Sequence, residues 1–465
     1  MRLDQLLGGV EVLGRRGDPA STDVRAVTHD SRAVVPGALF CCLPGARVDG
    51  HDFAADAVEA GAIALLCERP LDIAVTQVIV ADARAAMAPI AAAFFGHPSR
   101  ALAVVGITGT NGKTTTSHLL AAALDAGGRP TEVIGTLSGT RTTPESTELQ
   151  AHLATARDAG SSAIAMEVSS HALALHRVDA IWFSVAVFTN LSQDHLDFHG
   201  DMESYFAAKA LLFEPGRAAV AVVNADDDYG RRLLAASRIP TRQFTMADAV
   251  GAEIGPTGST FAFEGHRVHL HLGGAFNVAN AIAAATAAST LDVAPGAIAA
   301  GLSSVRSVPG RFETIEAGQP FAVLVDYAHT PAGLEQLLAS VRSSLGSGRL
   351  IVVFGCGGDR DREKRPRMGE VATRLADRAV LTSDNPRGED PAAIIDEVVA
   401  GVTRRDRLVV EPDRRQAIAL ALADAQPGDA VVIAGKGHET TQVTGEHVVP
   451  FDDRVVARQA LEAGS

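Results

Sequence analysis

The chain has 465 residues, which is more than one ordinary hydrophobic core accommodates, so two to three domains are predicted. Hydrophobic residues make up 47% and charged residues 21%, a composition typical of globular rather than disordered proteins. The net charge of −14 excludes a global positive field that would attract a phosphate backbone, so we expect no nucleic acid among the partners.

The N-terminal stretch and the cysteines favour a cytoplasmic protein. Residues 1–20 contain no apolar run suited to a secretory signal. No uninterrupted apolar stretch of about 20 residues occurs, so no membrane span is expected. The cysteines lack a C-x-x-C spacing, so we expect small buried hydrophobes in a reducing compartment: Cys41, Cys42, Cys67 and Cys356.

Two breaks divide the chain into three predicted domains. The first is FFGHPSR (94–100) and the second is RSVPGRFE (306–313), each just before a strand-like run. After the first break, short continuous apolar runs alternate with helical patterns, which is typical of parallel sheets covered on both faces. The sequence therefore predicts a smaller mixed domain, 1–98, followed by two α/β domains, 99–312 and 313–465.

The second domain opens with a predicted phosphate loop, in the stretch ALAVVGITGTNGKTTTSHLLAAAL (101–124). A strand, a glycine-bearing loop and a helix follow one another, so backbone amides and the helix N-terminus can hold a phosphate. Lys113 supplies a positive charge, and Thr114 can place its hydroxyl on Mg²⁺. The strict G-x-x-x-x-G-K-[ST] pattern fails at one place, because Ile107 occupies the first glycine position. No Asn-Lys-x-Asp guanine reader occurs, which disfavours a GTPase.

Polar strings follow several predicted strands of the two α/β domains. Ligands of parallel sheets collect beyond the carboxyl ends of the strands, so these strings predict one binding region. Glu167 ends the apolar part of SSAIAMEVS, and His195 follows a further apolar run. A carboxylate oxygen and an imidazole suit a Mg²⁺ ion that also keeps phosphate oxygens and waters. The alternative is a satisfied polar pair at strand ends.

Lys209 lies in a predicted helix over 201–213, on a face that is otherwise apolar. The positions three and four residues away are Tyr205, Phe206, Leu212 and Phe213. Burial without a partner would disfavour the ammonium form and lower the pKa of Lys209. A neutral amine can react with CO₂ to form a carbamate. The alternative is a lysine whose charged head reaches water.

Three weaker features also have ordinary structural explanations. Asn277 and Asn280 lie one helical turn apart and can present their amides together, or they are surface polar residues. His269 and His271 mimic a His-x-His metal pair, but they alternate with apolar residues as a half-buried strand does. The run DRDREKRPR is either a solvated charged face or a site that begins with Arg360, directly after a strand end.

The stretch TSDNPRGEDP (382–391) combines turn chemistry with an arginine that turn chemistry does not require. Asp390 and Pro391 predict a helix start, as N-cap and first helical residue. Arg387 follows a rigid proline at a strand's end. A guanidinium can hold a carboxylate with two parallel hydrogen bonds, so this stretch is either a plain turn or a turn that holds Arg387 against a ligand.

Several long motifs, ordered along the chain, resemble the Mur ligase family. They are GITGTNGKTTT (106–116), EVSSHALALHRV (167–178), FTNLSQDHLDFHGDMESYFAAKALLF (188–213), AFNVANAIAA (275–284), VPGRFE (308–313) and VDYAHTP (325–331). The resemblance covers nearly the whole chain and is weakest before residue 99. It implies a three-domain α/β architecture with a central P-loop parallel-sheet domain and a C-terminal Rossmann-like domain.

The resemblance also implies a reaction. The family uses ATP to form an amide bond: a substrate carboxylate takes the γ-phosphoryl group, an amine attacks the acyl phosphate, and phosphate leaves. Within the family, the motifs are most similar to members that add meso-diaminopimelate to UDP-MurNAc-L-Ala-D-Glu in peptidoglycan precursor synthesis. ATP and these two molecules are the implied partners and Mg²⁺ the implied cofactor, and we expect a cytoplasmic monomer.

The resemblance assigns roles to residues that match the family's motifs. The implied ATP-binding residues are Gly109, Thr110, Asn111, Gly112, Lys113, Thr114, Thr115, Asn277, Asn280, Arg311 and His329. The implied contacts to UDP-MurNAc-dipeptide are Ser31, Thr142, Thr143, Ser169 and Arg177. The implied contacts to diaminopimelate are Arg360, Asp384, Asn385, Arg387, Gly435 and Glu439. The implied metal ligands are Thr114, Glu167, His195 and Lys209 as its carbamate, and the implied catalytic residues are Lys113, Lys209, His195 and Asp326.

One departure and three alternatives accompany this interpretation. The segment SGTR before Thr142 is short, where relatives usually carry a longer hairpin-like insertion. The same chemistry could add L-lysine, or serve a folylpolyglutamate-synthetase-like ligase, which the N-terminal strings DSR and DGHDF disfavour because they resemble a uridine-binding part. A nucleotide-binding regulatory protein without synthetic activity is disfavoured because the phosphate-loop and metal residues are all present.

Overall fold

The computed structural model describes residues 1–45, 48–139 and 141–464, so part of the short SGTR segment, Thr140, lies outside the described residues. Three sheets organise the chain, and their central strands are short runs of buried aliphatic residues. Such runs suit strands that are covered on both faces. The predicted α/β fold class is thereby confirmed.

The first sheet is built from the N-terminal residues and has the strand order β1-β5-β4-β3-β2. Its strands are parallel except β1, which pairs antiparallel with β5. Three of the four cysteines lie buried here as free thiols. The strands are Gly14–Arg16 (β1), Ala26–Thr28 (β2), Ala38–Cys41 (β3), Ala62–Cys67 (β4) and Thr76–Ile79 (β5), and the helices are Leu3–Leu6 (α1), Ala54–Glu59 (α2) and Ala83–Phe94 (α3).

The central sheet has six strands, all parallel, in the order β11-β10-β9-β6-β8-β7. The strands are Ala103–Thr108 (β6), Thr131–Ile134 (β7), Ala163–Glu167 (β8), Phe183–Phe188 (β9), Ala218–Asn224 (β10) and Thr241–Phe244 (β11). The helices between them are Lys113–Ala126 (α4), Ser146–Asp158 (α5), Ser170–Ala174 (α6), Leu196–His199 (α7), Met202–Ala210 (α8) and Asp228–Ala236 (α9). The helix predicted over 201–213 therefore ends at Ala210, and a 3₁₀ turn over Leu211–Phe213 follows it.

A small antiparallel sheet and two helices complete this central part of the chain. The strands are Val250–Ile254 (β12), Ser259–Phe263 (β13) and His266–Leu270 (β14), followed by helices Ala275–Thr290 (α10) and Pro295–Ser304 (α11), which pack on α4. Val268, Leu270 and Leu272 are buried while His269 and His271 are exposed. The strand interpretation of that histidine pair is confirmed.

The third sheet has the order β15-β16-β20-β17-β18-β19 and is parallel except for β15. Its strands are Glu313–Thr314 (β15), Ala322–Asp326 (β16), Leu350–Phe354 (β17), Arg378–Leu381 (β18), Leu408–Val410 (β19) and Ala430–Ala434 (β20), and a hairpin follows with Thr441–Thr444 (β21) and His447–Pro450 (β22). The helices are Pro331–Ser344 (α12), Lys364–Leu375 (α13), Pro391–Val399 (α14), Arg414–Asp424 (α15) and Asp453–Gly464 (α16).

The connections between the sheets contain the two predicted breaks. Helix α3 ends at Phe94 and β6 begins at Ala103, while α11 ends at Ser304 and β15 begins at Glu313. The boundaries at 98/99 and 312/313 stay predictions. Among the described residues, no helix is both long and apolar enough to cross a membrane.

Candidate active site

The phosphate loop joins β6 to α4 and closes on itself. Gly112 has a φ of 87°, and a Cβ there would collide with the side-chain carbonyl of Asn280, so only glycine fits the close approach of α10. Lys113 Nζ donates to the carbonyls of Gly109 at 2.9 Å and Thr110 at 2.8 Å. Burial lowers the pKa of Lys113. The two hydrogen bonds hold the Lys113 amino group at the mouth of the loop.

Arg311 connects the phosphate loop to the third sheet. Its Nη2 donates to Thr114 Oγ1 at 3.1 Å, and its guanidinium lies 4.5 Å from the centre of the Tyr327 ring. Asp326, at the end of β16, accepts from the backbone amides of Phe312 at 2.7 Å and Ala328 at 2.8 Å. Burial raises the pKa of Asp326. In this geometry, Asp326 orders the two segments that carry Arg311 and Tyr327.

A cavity of about 220 Å³ lies where the central and third sheets face each other. It brings together predicted nucleotide and metal residues that are up to about 200 positions apart in the sequence, because both sheets direct their carboxyl ends toward it. Its lining includes Thr110, Asn111, Gly112, Lys113, Thr114, Thr115, Thr142, Glu167, His195, Asn277, Asn280, Arg311, Asp326 and His329. Thr136, Asp194 and Tyr327 also line it, and their roles were not predicted from the sequence.

Glu167 is buried at the end of β8, where Thr136 orients it. Its Oε1 accepts from the Thr136 amide at 2.8 Å and its Oε2 from the Thr136 hydroxyl at 3.1 Å. That hydroxyl lies 3.0 Å from Thr142 Oγ1, so one chain of hydroxyls joins two predicted sites. Thr136 lies in IGTL, two residues after β7 ends at Ile134, and its role was not predicted from the sequence.

His195 stands at the start of α7 with a φ of 53°. Desolvation in the cleft lowers the pKa of His195 to about 4, although neighbouring Asp194 opposes this. The imidazole is therefore neutral at pH 7, which is the form that binds a metal. Among the described residues there is no set of three or more His, Cys, Asp or Glu side chains grouped as metal ligands. A cation here would need Thr114, phosphate oxygens or a modified Lys209 to complete its shell.

Lys209 is 1% exposed, and the predicted burial is observed. Its Nζ donates to the Gly109 carbonyl at 3.0 Å and lies 4.7 Å from the centre of the Tyr205 ring. Burial, with Lys113 as a second cause, lowers the pKa of Lys209 well below its usual value. Since Lys113 and Lys209 share one carbonyl as acceptor, their two amino groups converge beneath the phosphate loop. The environment favours a neutral, reactive amine.

An aromatic wall, formed by His171, His195, Phe198, His199 and Tyr205, borders Lys209. The His171 ring lies 4.8 Å from His195 and 4.2 Å from Phe198, and His199 lies 5.0 Å from Tyr205. Desolvation lowers the pKa of His171 and of His199 to about 4. These histidines are present in the quoted motifs, but nothing in their spacing predicts the cluster.

The residues predicted for the UDP-linked substrate form a corner next to Glu167. Thr143 Oγ1 donates to the Glu167 carbonyl at 2.9 Å, and Ser169 caps α6 by accepting from Ala172 N at 3.1 Å. Arg177 Nη1 donates to the Thr143 carbonyl at 3.1 Å. The side chains of Thr142, Thr143, Ser169 and Arg177 therefore lie next to one another.

Ser31 lies apart from that corner, at the start of a short turn after β2. The first sheet meets the central one nearby, where His29 Nδ1 lies 2.9 Å from Thr147 Oγ1. Arg84 of α3 also donates to Glu145 at 3.0 Å, and Glu145 pairs with Arg177 at 2.9 Å. Ser31 and Arg177 therefore border the same junction between the two sheets.

The turn at 382–391 connects to the β21–β22 hairpin. Arg387 has a φ of 52°, its amide donates to the Val443 carbonyl at 2.9 Å, and its Nη1 donates to the Gly358 carbonyl at 2.9 Å. A Cβ at Gly358 would collide with the Pro386 carbonyl, so glycine lets the two loops touch. Asp390 caps α14 with Pro391 at its first turn, as predicted.

The other predicted amino-acid contacts surround Arg387. Asn385 and Asp384 are nearly buried, and Asn385 Nδ2 donates to Glu439 Oε2 at 2.7 Å. Gly435 has a φ of 116°, and a Cβ there would lie 2.5 Å from Asp384 Oδ2. Arg360 is exposed on the neighbouring loop. The buried Lys436, inside AGKGHE, also contacts Asn385 and Glu439, and its role was not predicted from the sequence.

Family models match three successive stretches of the chain. The Mur ligase family catalytic domain matches residues 23–106, the Mur ligase middle domain matches 107–288, and the Mur ligase glutamate ligase domain matches 310–437. Together these stretches cover most of the described α/β elements.

Relatives and a solved structure agree over nearly the full length. A UDP-N-acetylmuramoyl-L-alanyl-D-glutamate–2,6-diaminopimelate ligase from Syntrophomonas wolfei is 44% identical and covers 99% of each chain. The ligase of the same name from Solibacter usitatus is 46% identical over 99% of this chain and 98% of its own. A solved structure of a ligase of this name is 32% identical, has a TM-score of 0.69, and covers 100% of this chain and 99% of its own. The chain therefore belongs to the Mur ligase family of ATP-dependent, ADP-forming ligases.

Proposed function

We propose that this chain joins meso-diaminopimelate to UDP-MurNAc-L-Ala-D-Glu, with ATP as co-substrate, through an acyl-phosphate intermediate. The observation that carries the proposal is the near full-length identity of 44% and 46% to ligases named for that reaction. The link from Arg387 to Glu439 through Val443 and Asn385 supports it, since a guanidinium and a carboxylate suit the carboxylate and ammonium of one amino-acid centre.

The triphosphate of ATP fits the loop between β6 and α4. Backbone amides from Gly112 to Thr115, at the N-terminus of α4, stabilise negative charge. Lys113 would exchange its two loop carbonyls for phosphate oxygens, a gain because charged acceptors bind an ammonium more strongly. Arg311 reaches the same loop from the third sheet and would add positive charge when the sheets close on the nucleotide.

The nucleoside end fits a neighbouring cavity of about 210 Å³ on the other side of Gly112. The two cavities share Asn111, Gly112, Phe276, Asn280 and Gln336. Asn190, Asn224 and Asp226 also line the second cavity, and their amides and carboxylate offer partners for a base and a ribose. Asn277 donates to the Gly273 carbonyl at 2.8 Å and so orders the entry of α10.

The donor set beside the phosphate loop fits Mg²⁺. Glu167 offers a buried carboxylate, His195 a neutral imidazole, and Thr114 a hydroxyl, and a carbamate on Lys209 would add an anionic oxygen ligand. When bound, Mg²⁺ neutralises charge on the phosphates during phosphoryl transfer. Lys209 contributes by its position, because its Nζ already contacts the Gly109 carbonyl beneath the loop.

The two reacting groups arrive from opposite sides of the cavity. The corner formed by Thr142, Thr143, Ser169 and Arg177 would hold the muramoyl dipeptide with its carboxylate toward the γ-phosphate. The third sheet would hold the amino acid through Arg360, Asp384, Asn385, Arg387, Gly435 and Glu439. Holding both reactants in one orientation contributes much of the catalysis in such a reaction. Asp326 and His329 order the carboxyl end of β16, which lies between the places of the two reactants.

We propose a monomer that works in the cytoplasm. Both ATP and a UDP-linked precursor are made in that compartment, and the four buried free thiols suit its reducing conditions. Residues of a single copy of the chain line the cavity. Light scattering at the concentration of the activity assay would measure the mass directly.

The proposal is tested by phosphate release with ATP, Mg²⁺ and UDP-MurNAc-dipeptide, offering meso-diaminopimelate, L-lysine and L-ornithine in separate reactions. We expect phosphate only when both the dipeptide and diaminopimelate are present. Preference for L-lysine would support the alternative amino acid, while slow hydrolysis without either substrate would indicate a regulatory protein. Either result would contradict the proposal.

A further inference from the structure

We propose that Lys436 is a positioning and specificity residue for the incoming diamino acid, acting through Asn385 and Glu439. The inference rests on the proposed function and concerns how the amino-acid end of that site is held. Lys436 follows β20 between two glycines and its side chain is fully buried. A buried ammonium is costly unless it is paired and hydrogen-bonded, so its partners indicate what it does.

All three donors of the Lys436 ammonium are used. Nζ donates to Thr441 O at 2.7 Å, to Asn385 Oδ1 at 3.1 Å and to Glu439 Oε2 at 3.1 Å. These acceptors belong to the DNPR turn, to the loop after β20 and to the start of the β21–β22 hairpin. One side chain therefore joins the three segments that carry the amino-acid contacts.

Lys436 fixes which way the Asn385 amide points. Asn385 Oδ1 accepts from Lys436 and from Val443 N at 3.0 Å, so the flipped amide would place an NH₂ group against two donors. Asn385 Nδ2 then donates to Glu439 Oε2 at 2.7 Å. Glu439 Oε2 receives two donors, whereas Oε1 has no hydrogen-bond partner among the described residues and stays available to a ligand ammonium.

The same cluster sets the place of Arg387. Val443, whose amide binds Asn385, also accepts at its carbonyl from the Arg387 amide at 2.9 Å, and the Arg387 carbonyl accepts from Gly445 N. Lys436 thus controls the spacing between a free carboxylate oxygen and a guanidinium. That pair matches the ammonium and carboxylate of one amino-acid centre.

Charge balance makes Lys436 a specificity residue as well. The predicted contacts to the amino acid, taken with Lys436, include three cations, Arg360, Arg387 and Lys436, and two carboxylates, Asp384 and Glu439. The buried Arg414 beside this turn is neutralised by Asp453. Diaminopimelate with its attacking amine neutral carries one net negative charge, while L-lysine in the same state carries none. Replacing Lys436 by a neutral side chain removes one positive charge from the site, which disfavours the net negative diaminopimelate and not L-lysine.

The test compares the wild type with Lys436→Met, which keeps most of the length of the side chain and removes its charge. We expect the KM for diaminopimelate to rise about 10- to 100-fold, as for loss of one member of a buried charge pair, while the KM for ATP changes less than about 2-fold. The ratio of kcat/KM for diaminopimelate to that for L-lysine should fall about tenfold. A merely structural role would not move this ratio.

Two further variants keep the test decisive. Arg349→Met removes a cation that pairs with Asp429 at 2.8 Å directly before β17, at the amino ends of the strands and thus away from the site, and should leave the ratio unchanged. Lys436→Gln replaces the Met variant if the latter does not fold. An unchanged ratio in a folded Lys436 variant would overturn this inference alone. A wild type that does not ligate diaminopimelate would overturn the proposed function and this inference with it.

Discussion

Arg387→Ala tests the selection of the amino acid. The guanidinium has one protein hydrogen bond, from Nη1 to the Gly358 carbonyl, and among the described residues its other donors have no partner. A bidentate pair with a ligand carboxylate is therefore open to it. Arg387 is half-buried, so we take the lower part of the 2 to 5 kcal/mol range for truncating one partner of a buried charge pair.

About 2 to 3 kcal/mol corresponds to a loss of roughly 30- to 150-fold in kcat/KM for diaminopimelate. The KM for ATP should stay within about 2-fold, because Arg387 lies outside the residues that line the nucleotide cavity. The backbone of residue 387 is left-handed, with a φ of 52°. Alanine and arginine tolerate this conformation about equally, so the turn geometry should be comparable in the variant.

The assay is phosphate release under saturating ATP and dipeptide, with diaminopimelate and L-lysine titrated separately. Arg404→Ala is the matched control, since within the described part of the chain the side chain of that arginine pairs with Asp406 alone, at 3.0 Å on the surface. Equal losses of kcat/KM for ATP and for diaminopimelate, or a loss below about 3-fold for diaminopimelate, would refute the assignment. Residues 382–391 would then be a structural turn only.

Three other predictions concern the phosphate loop, the cation and the fold. Lys113→Ala and Lys209→Ala should each abolish ligation in a phosphate-release assay, and a short carboxylic acid should restore only the Lys209 variant if a carbamate is needed; full activity in either variant would contradict the site. Removal of divalent cations by EDTA should stop phosphate release and added Mg²⁺ should restore it, while activity that survives chelation would contradict the Mg²⁺ proposal. Asp453→Ala should lower the free energy of unfolding, measured by urea denaturation, by about 3 to 5 kcal/mol. The reason is that the buried Arg414 guanidinium, which lies 2.6 Å from the Asp453 carboxylate, loses its counter-charge. A change below about 1 kcal/mol would show that water replaces the carboxylate.

The order of elements was predictable because it depends on local patterns. Continuous aliphatic runs predicted the parallel strands, Asp390 and Pro391 predicted the start of α14, and the apolar neighbours of Lys209 predicted its burial. Each of these depends on residues within about one or two helical turns of one another.

The boundary of α8 was less predictable. An apolar pattern over 201–213 continues past Ala210, but the backbone tightens into a 3₁₀ turn over Leu211–Phe213. A 3₁₀ turn and the end of an α-helix present nearly the same side-chain periodicity, so the pattern alone does not separate them.

The sequence by itself determined the fold class, the phosphate loop and the family resemblance, since these reside in contiguous motifs. Only the tertiary structure decided how the motifs are joined: Arg311 on Thr114, Thr136 on Glu167, and the shared hold of Lys113 and Lys209 on Gly109. The tertiary structure also decided the contacts of Lys436. The two glycines that flank it give no indication that it binds Asn385, which is 51 residues away. The physical reason is that a buried charge is defined by its partners, and in a parallel sheet the partners come from the ends of different strands.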